Sequence, residues 1–111
     1  RPEMYVVIRR YRMDPESIDE VIDLARNKFL PQLITIPGFK AFYHVHTAHD
    51  CLLSISVFAD KVGADLSNQL ARDAVKEWAA DLLPLPPEII EGEVVTSEVV
   101  ESLITPKSTV L

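Results

Sequence analysis

The sequence predicts an α+β domain of βαββαβ order, with a four-stranded antiparallel sheet carrying two helices on one face. Three observations lead there. Two strand-like runs flank a short polar connection between Phe39 and Phe58; two stripes of helical periodicity each begin at an aspartate; and a further strand candidate lies toward each end of the chain. Two helices laid over one sheet face bury the apolar sides of all these elements.

The central pair holds all three histidines and the only cysteine. Residues 39–46 are aromatic and β-branched enough for a strand, Thr47 to Asp50 form a polar turn, and Cys51 to Phe58 form the second strand. Side chains two apart share a strand face. Ala41, Tyr43 and Val45 therefore oppose Phe42, His44 and His46, while Leu53, Ile55 and Val57 oppose Leu52, Ser54, Ser56 and Phe58. The uniformly apolar sets are expected under the helices. The mixed sets are expected on the far face, against a second subunit, where hydroxyls and imidazoles are tolerated and where the protein would do its work.

The flanking elements follow from local chemistry. Residues 4–12 form the first strand, with Val6 and Ile8 on one face and Tyr5, Val7, Arg9 and Tyr11 on the other. Asp14 is a helix cap, Pro15 suits the first helical position, and Glu16 suits the positive end of the dipole. Ile18, Val21, Ile22, Ala25 and Phe29 make the first apolar stripe, which Pro31 kinks or ends before the Pro37-Gly38 turn. Asp60 caps a second helix predicted to reach about Leu83, with Leu66, Leu70, Ala74 and Trp78 inward and Ala71, Val75 and Leu82 beside them. Trp78 reads as a core or interface anchor. Pro84, Pro86 and Pro87 stop that helix, and a last strand runs from about Ile89 to Val99. Placed antiparallel to the first strand, it lets Glu91 and Glu93 pair with Arg9, Arg10 or Arg12.

With 111 residues the chain is read as one domain over 1–100 and a C-terminal extension over 101–111. A chain this short gains core by pairing with a second copy, so a homodimer is expected. Seventeen acidic against eleven basic residues, for a net charge of −6, argue against nucleic acid. No apolar run is long enough to cross a membrane. The single cysteine and the lack of a visible signal segment fit the cytoplasm. The chain opens on Arg1 rather than methionine, which leaves room for sequence before it.

The strings MYVVIRRYRMDPESIDE, FLPQLITIPGFKAFY, CLLSISVFADKVGADLSN and PPEIIEGEVV, spread over Met4 to Val100, resemble the antibiotic biosynthesis monooxygenase-like, or dimeric α/β-barrel, superfamily. The resemblance lies in element order, the PGF turn and the SVF strand end before a helix containing Ser67-Asn68. It implies ferredoxin-like protomers whose two sheets close a shared barrel, and functions that include cofactor-independent oxygenation of polyphenols and haem degradation. Haem-degrading relatives carry an asparagine on the first strand, where this chain has Arg9 or Tyr11; Asn68 and Trp78 fall in the second helix instead. Haem chemistry is thus the weaker option, and no cofactor is expected.

The candidate chemistry centres on His44 as a general base, with Tyr11 and Arg9 completing a catalytic set that holds an enolate or phenolate as charge develops. Phe42, His46, Ser54, Ser56, Phe58 and Asn68 are the ligand-binding candidates, although Asn68 also reads as an ordinary exposed helix position, and the serines as the lining of a wet interface. His44-x-His46 with His49 and Asp50 permits metal binding, but the only thiol has no second cysteine, so no metal is assigned. The function expected is a cofactor-independent monooxygenase for a small aromatic or polyphenolic compound; the alternative is a non-catalytic ligand-binding or structural homodimer.

Overall fold

A computed structural model describes residues 4–100 of the chain. The proposed extension at 101–111 lies outside the described residues. Four strands, β1 (Tyr5–Arg12), β2 (Phe39–Ala48), β3 (Cys51–Phe58) and β4 (Glu88–Glu93), form one sheet in the order β2-β3-β1-β4, antiparallel throughout. This is the ferredoxin-like α+β arrangement that the element order predicts.

The first helical region is broken into segments by its own sequence. Asp14 Oδ1 accepts the backbone N–H of Glu16 (2.9 Å), and a 3₁₀ turn (Pro15–Ser17) leads into α1 (Ile18–Leu24). A π-helical segment (Ala25–Phe29) follows, closed by the Leu30 N–H reaching back to the Ala25 carbonyl, and α2 (Leu30–Leu33) completes the run. Pro31 explains the wide turn: it offers no N–H to Asn27, and its ring crowds that carbonyl unless the backbone opens just before it. Gly38, at φ +87°, then turns the chain into β2, a conformation that costs glycine little.

The second long helix, α3 (Lys61–Trp78), is capped by Asp60 Oδ1 accepting the Gly63 N–H (3.0 Å). It ends at Trp78 instead of Leu83; residues 79–83 form a separate turn in which the N–H groups of Leu82 and Leu83 both donate to the Ala79 carbonyl. Its buried side is also rotated from expectation. Leu66 is half exposed, whereas Gly63, Ala64, Ser67, Asn68 and Ala71 are buried. Small residues along that side let the helix lie close to the sheet.

The two sheet faces are reversed relative to the sequence-based expectation. The pairs Val7↔Ser56, Arg9↔Ser54 and Tyr11↔Leu52, continued by Phe42↔Ser56 and His44↔Ser54, place the mixed set on one face. That face lies under the helices, where Arg9, Leu52, Ser54, Ser56 and Phe58 are all buried. The uniformly apolar set, including Ile8, Leu53, Ile55 and Val57, lies on the uncovered side. Alternation separates two faces without saying which faces inward. Here the inward choice follows hydrogen bonding, because α3 brings Asn68 to meet Arg9.

The core is consequently stratified along the strands. One apolar cluster gathers around Val7, Phe29, Leu33 and Phe58, and another around Tyr11, Ile18, Val21 and Leu52. Arg9, Ser54 and Ser56 lie between them along β1 and β3. The final strand is shorter than predicted, and its ion pair to β1 uses Glu88 in place of Glu91 or Glu93: Arg10 Nη1 lies 2.8 Å from Glu88 Oε1.

Candidate functional site

Arg9 stands on the inner central strand and is only 1 % exposed. Its Nη1 donates to Asn68 Oδ1 (2.6 Å) and its Nη2 to Ser56 Oγ (3.1 Å). Both acceptors are neutral, and among the described residues no carboxylate pairs with this guanidinium. Burial lowers its pKa from the ordinary arginine value, while Tyr11 and Glu91 act in the opposite direction. A buried cation without a counter-ion costs several kcal/mol.

Tyr11 lies two residues along the same face and is 8 % exposed. Burial raises the pKa of its phenol, an effect that the Arg9 charge opposes. His44 enters from β2, directly across from Ser54 on β3, with its ring edge-on to Phe42 at a centroid distance of 4.9 Å. Burial first, then the charges of Arg26 and Arg9, lower its pKa to about 4, so the imidazole is neutral at pH 7. The Ser54 hydroxyl is buried and has no hydrogen-bond partner among the described residues. An unmet buried hydroxyl costs about 1–3 kcal/mol, which a bound ligand recovers by bonding to it.

These groups border two cavities. An inner one of about 60 Å³ is walled by Arg9, Tyr11, His44 and Ser54 below and by Phe29 and Trp78 from the helical layer. An outer cleft of about 350 Å³ opens between α3, β4 and the proline-rich connection, with Asn68, Arg72, Lys76, Leu85 and Ile89 on its walls. Arg9 and Tyr11 belong to both. The space lies within one protomer, between sheet and helices, and not between two sheets as the sequence suggests.

The structure brings Arg9, Tyr11, His44, Ser54 and Phe42 together around the inner cavity. Ser56 and Asn68 stand behind Arg9 and hold it; the surface reading of Asn68 is overturned by its burial. His46 is exposed at the end of β2, and Phe58 is packed into the core away from both cavities. No cluster of three or more His, Cys, Asp or Glu ligands occurs among the described residues. Asp50 instead lies 3.5 Å from Arg12. Arg72 and Lys76 were missed as site residues. An arginine at the centre of a strand, opposite a helix side of Ala64, Ser67, Asn68 and Ala71, was the signal that locates the site.

Solved structures share this fold. A Nitrosomonas europaea protein of unknown function, NE2512, superposes with a TM-score of 0.72 at 21 % identity, over 88 % of this chain and 95 % of its own. A second protein from that organism, named as an antibiotic biosynthesis monooxygenase, gives 0.70 at 16 % identity, over 86 % and 93 % of the two chains. This chain has the antibiotic biosynthesis monooxygenase fold. The monooxygenase from the gene ActVA-Orf6 of Streptomyces coelicolor, solved in complex with Nanaomycin D, shares that fold at a TM-score of 0.70 and 13 % identity, over 87 % and 92 %. No sequence family matches the chain, and no curated protein does. The antibiotic biosynthesis monooxygenase fold supplies a scaffold and leaves the chemistry to the residues placed on it.

Proposed function

We propose that this chain is a cofactor-independent monooxygenase acting on a small phenolic aromatic. The observation that carries the reading is the buried Arg9, which pairs with no carboxylate among the described residues, at the junction of two cavities with Tyr11, His44 and Ser54 beside it. A cavity of about 60 Å³ is too small for an aromatic ring, since benzene occupies an engineered cavity of about 150 Å³. The ring therefore belongs in the outer cleft, whose 350 Å³ lies within the range of ligand pockets. The inner cavity has room for dioxygen.

His44 accepts the phenol proton as Arg9 receives the phenolate oxygen. Transfer from a phenol of pKa about 10 to an imidazole of pKa about 4 is uphill by about 8 kcal/mol in isolation. The guanidinium offsets this by stabilising the phenolate, while burial, the chief cause of the low His44 pKa, is countered by the phenolate charge beside the imidazolium. The electron-rich phenolate then reduces dioxygen. A bond forms between the ring carbon ortho to the phenolate oxygen and one oxygen of O₂, the O–O bond breaks, and the ring leaves as a quinone with one water released, so that one phenol and one O₂ give one quinone and one H₂O. Ser54 Oγ–H donates to the oxygen that becomes the water.

Oxygen uptake in the presence of naphthalenediols tests the reading. The wild-type chain consumes one O₂ per quinone formed and releases no hydrogen peroxide, and Arg9→Met lowers kcat/KM by at least about 100-fold, as loss of an oxyanion donor does. Equal rates in the two chains, with circular dichroism unchanged, refute the role of Arg9. Binding without uptake by the wild type assigns the chain to the ligand-binding class.

A further inference from the structure

The outer cleft carries a charge opposite to that of the molecule. Acidic residues outnumber basic ones 17 to 11, yet the charged side chains bounding the cleft are Arg9, Arg72 and Lys76, with no carboxylate among its lining residues. Arg72 donates to Gln69 Oε1 (2.9 Å), and Gln69 in turn donates to Asp73 Oδ1 (3.0 Å), so Asp73 is linked to Arg72 through an amide. Lys76 forms no ion pair among the described residues. Arg72 also acts on Arg9 by like-charge repulsion, lowering its pKa, while Glu91 on β4 acts against it. The facing wall is apolar, built from Leu83, Leu85 and Ile89.

Three cations around one cleft repel each other, and the apolar wall, whose Leu85 and Ile89 are 57 % and 40 % exposed, leaves hydrocarbon in water. A ligand with an anion at one end and a hydrocarbon body at the other relieves both costs. We propose that the cleft binds substrates bearing a carboxylate on an aromatic body, with Arg72 and Lys76 taking the carboxylate at the mouth and the Leu83 to Ile89 wall taking the ring. The step in which the ring's far edge meets Arg9 and Tyr11 rests on the functional reading above; binding does not.

Isothermal titration calorimetry of the full chain with 2-naphthoate and its neutral analogue 2-naphthamide tests this directly. Naphthoate binds at least about tenfold tighter than naphthamide at low salt, the difference expected of charge-assisted hydrogen bonds. In Arg72→Gln/Lys76→Gln that preference falls to less than about threefold, with naphthamide affinity unchanged. Both residues are exposed, so the double variant keeps its unfolding midpoint. Equal affinity for the two ligands, no binding of either, or an unaltered preference in the double variant overturns the proposal. Displacement of naphthoate by an equal concentration of inorganic phosphate also overturns it, because the apolar wall then contributes nothing. Oxygen uptake plays no part in the measurement. A chain that prefers naphthoate but consumes no oxygen keeps this inference and loses the functional reading, while uptake with neutral diols and no preference does the reverse.

Discussion

At the level of single residues, the site consists of groups whose ordinary behaviour the fold suppresses. His44 illustrates this most directly, because its pKa of about 4 lies below the ordinary histidine value of 6.5. Between those values the unfolded chain binds a proton that the folded chain does not, so stability rises with pH across that window. The contribution is complete above pH 6.5 and disappears as pH falls toward 4, with a ceiling of about 3 kcal/mol. His44→Phe keeps an aromatic ring beside Phe42 and removes the titration. Urea midpoints at pH 7.5 and 4.5 should therefore fall less in the variant than in the wild type. An identical drop in both chains places the acid sensitivity elsewhere.

At the level of elements, element order and the two faces of each strand were legible, whereas the register of the last strand and the direction each face points were not. Period-two alternation at 39–46 and 51–58 separates Tyr43 and Ile55 from His44 and Ser54, which the pairing reproduces. Hydrophobicity then assigns the apolar set to the interior. That step fails because Arg9, Ser56 and Asn68 satisfy one another and so make a buried polar layer affordable. The α3 pattern was misread for the same reason. Leu70 packs against the core as its spacing predicts, but Leu66 is half exposed, and Gly63, Ala64, Ser67 and Ala71 set the close approach to the sheet.

Gly63 shows how tight that approach is. A Cβ there would stand 3.0 Å from Phe58 Cδ1 and 3.1 Å from the Pro37 carbonyl oxygen. Alanine gains about 1 kcal/mol in helix propensity over glycine. Overpacking against a buried ring and a fixed backbone oxygen costs about 1–3 kcal/mol, and the clash wins because neither neighbour is the free end of a flexible chain. Gly63→Ala is thus expected to lower stability by about 1 kcal/mol, read from the urea midpoint at unchanged slope. A stabilised variant would mean that α3 can lift from the sheet without loss.

For the whole molecule, moving the polar set beneath the helices leaves an apolar sheet face without cover. Tyr43 is 57 % and Ile90 54 % exposed on that face, around the half-buried Val6, Ile8, Ile55 and Val57. Arg10 with Glu88 and Arg12 with Asp50 form ion pairs toward one end of it. An apolar centre with charged pairs at its margin has the anatomy of a subunit interface, and the proposed homodimer forms by pressing two such faces together. Because the cavities lie on the opposite side of the sheet, pairing and ligand binding are separable. Ile55→Arg places a charge at the centre of the buried face, opposite Ile8 on the neighbouring strand. Sedimentation velocity should find the wild type at twice the chain mass and the variant at the chain mass, because an unpaired buried charge costs several kcal/mol. The monomer, where folded, should bind 2-naphthoate within about threefold of the dimer, as expected for independent sites. A variant that stays dimeric rules out this face as the interface, and a folded monomer with no affinity shows that the cleft depends on the second copy.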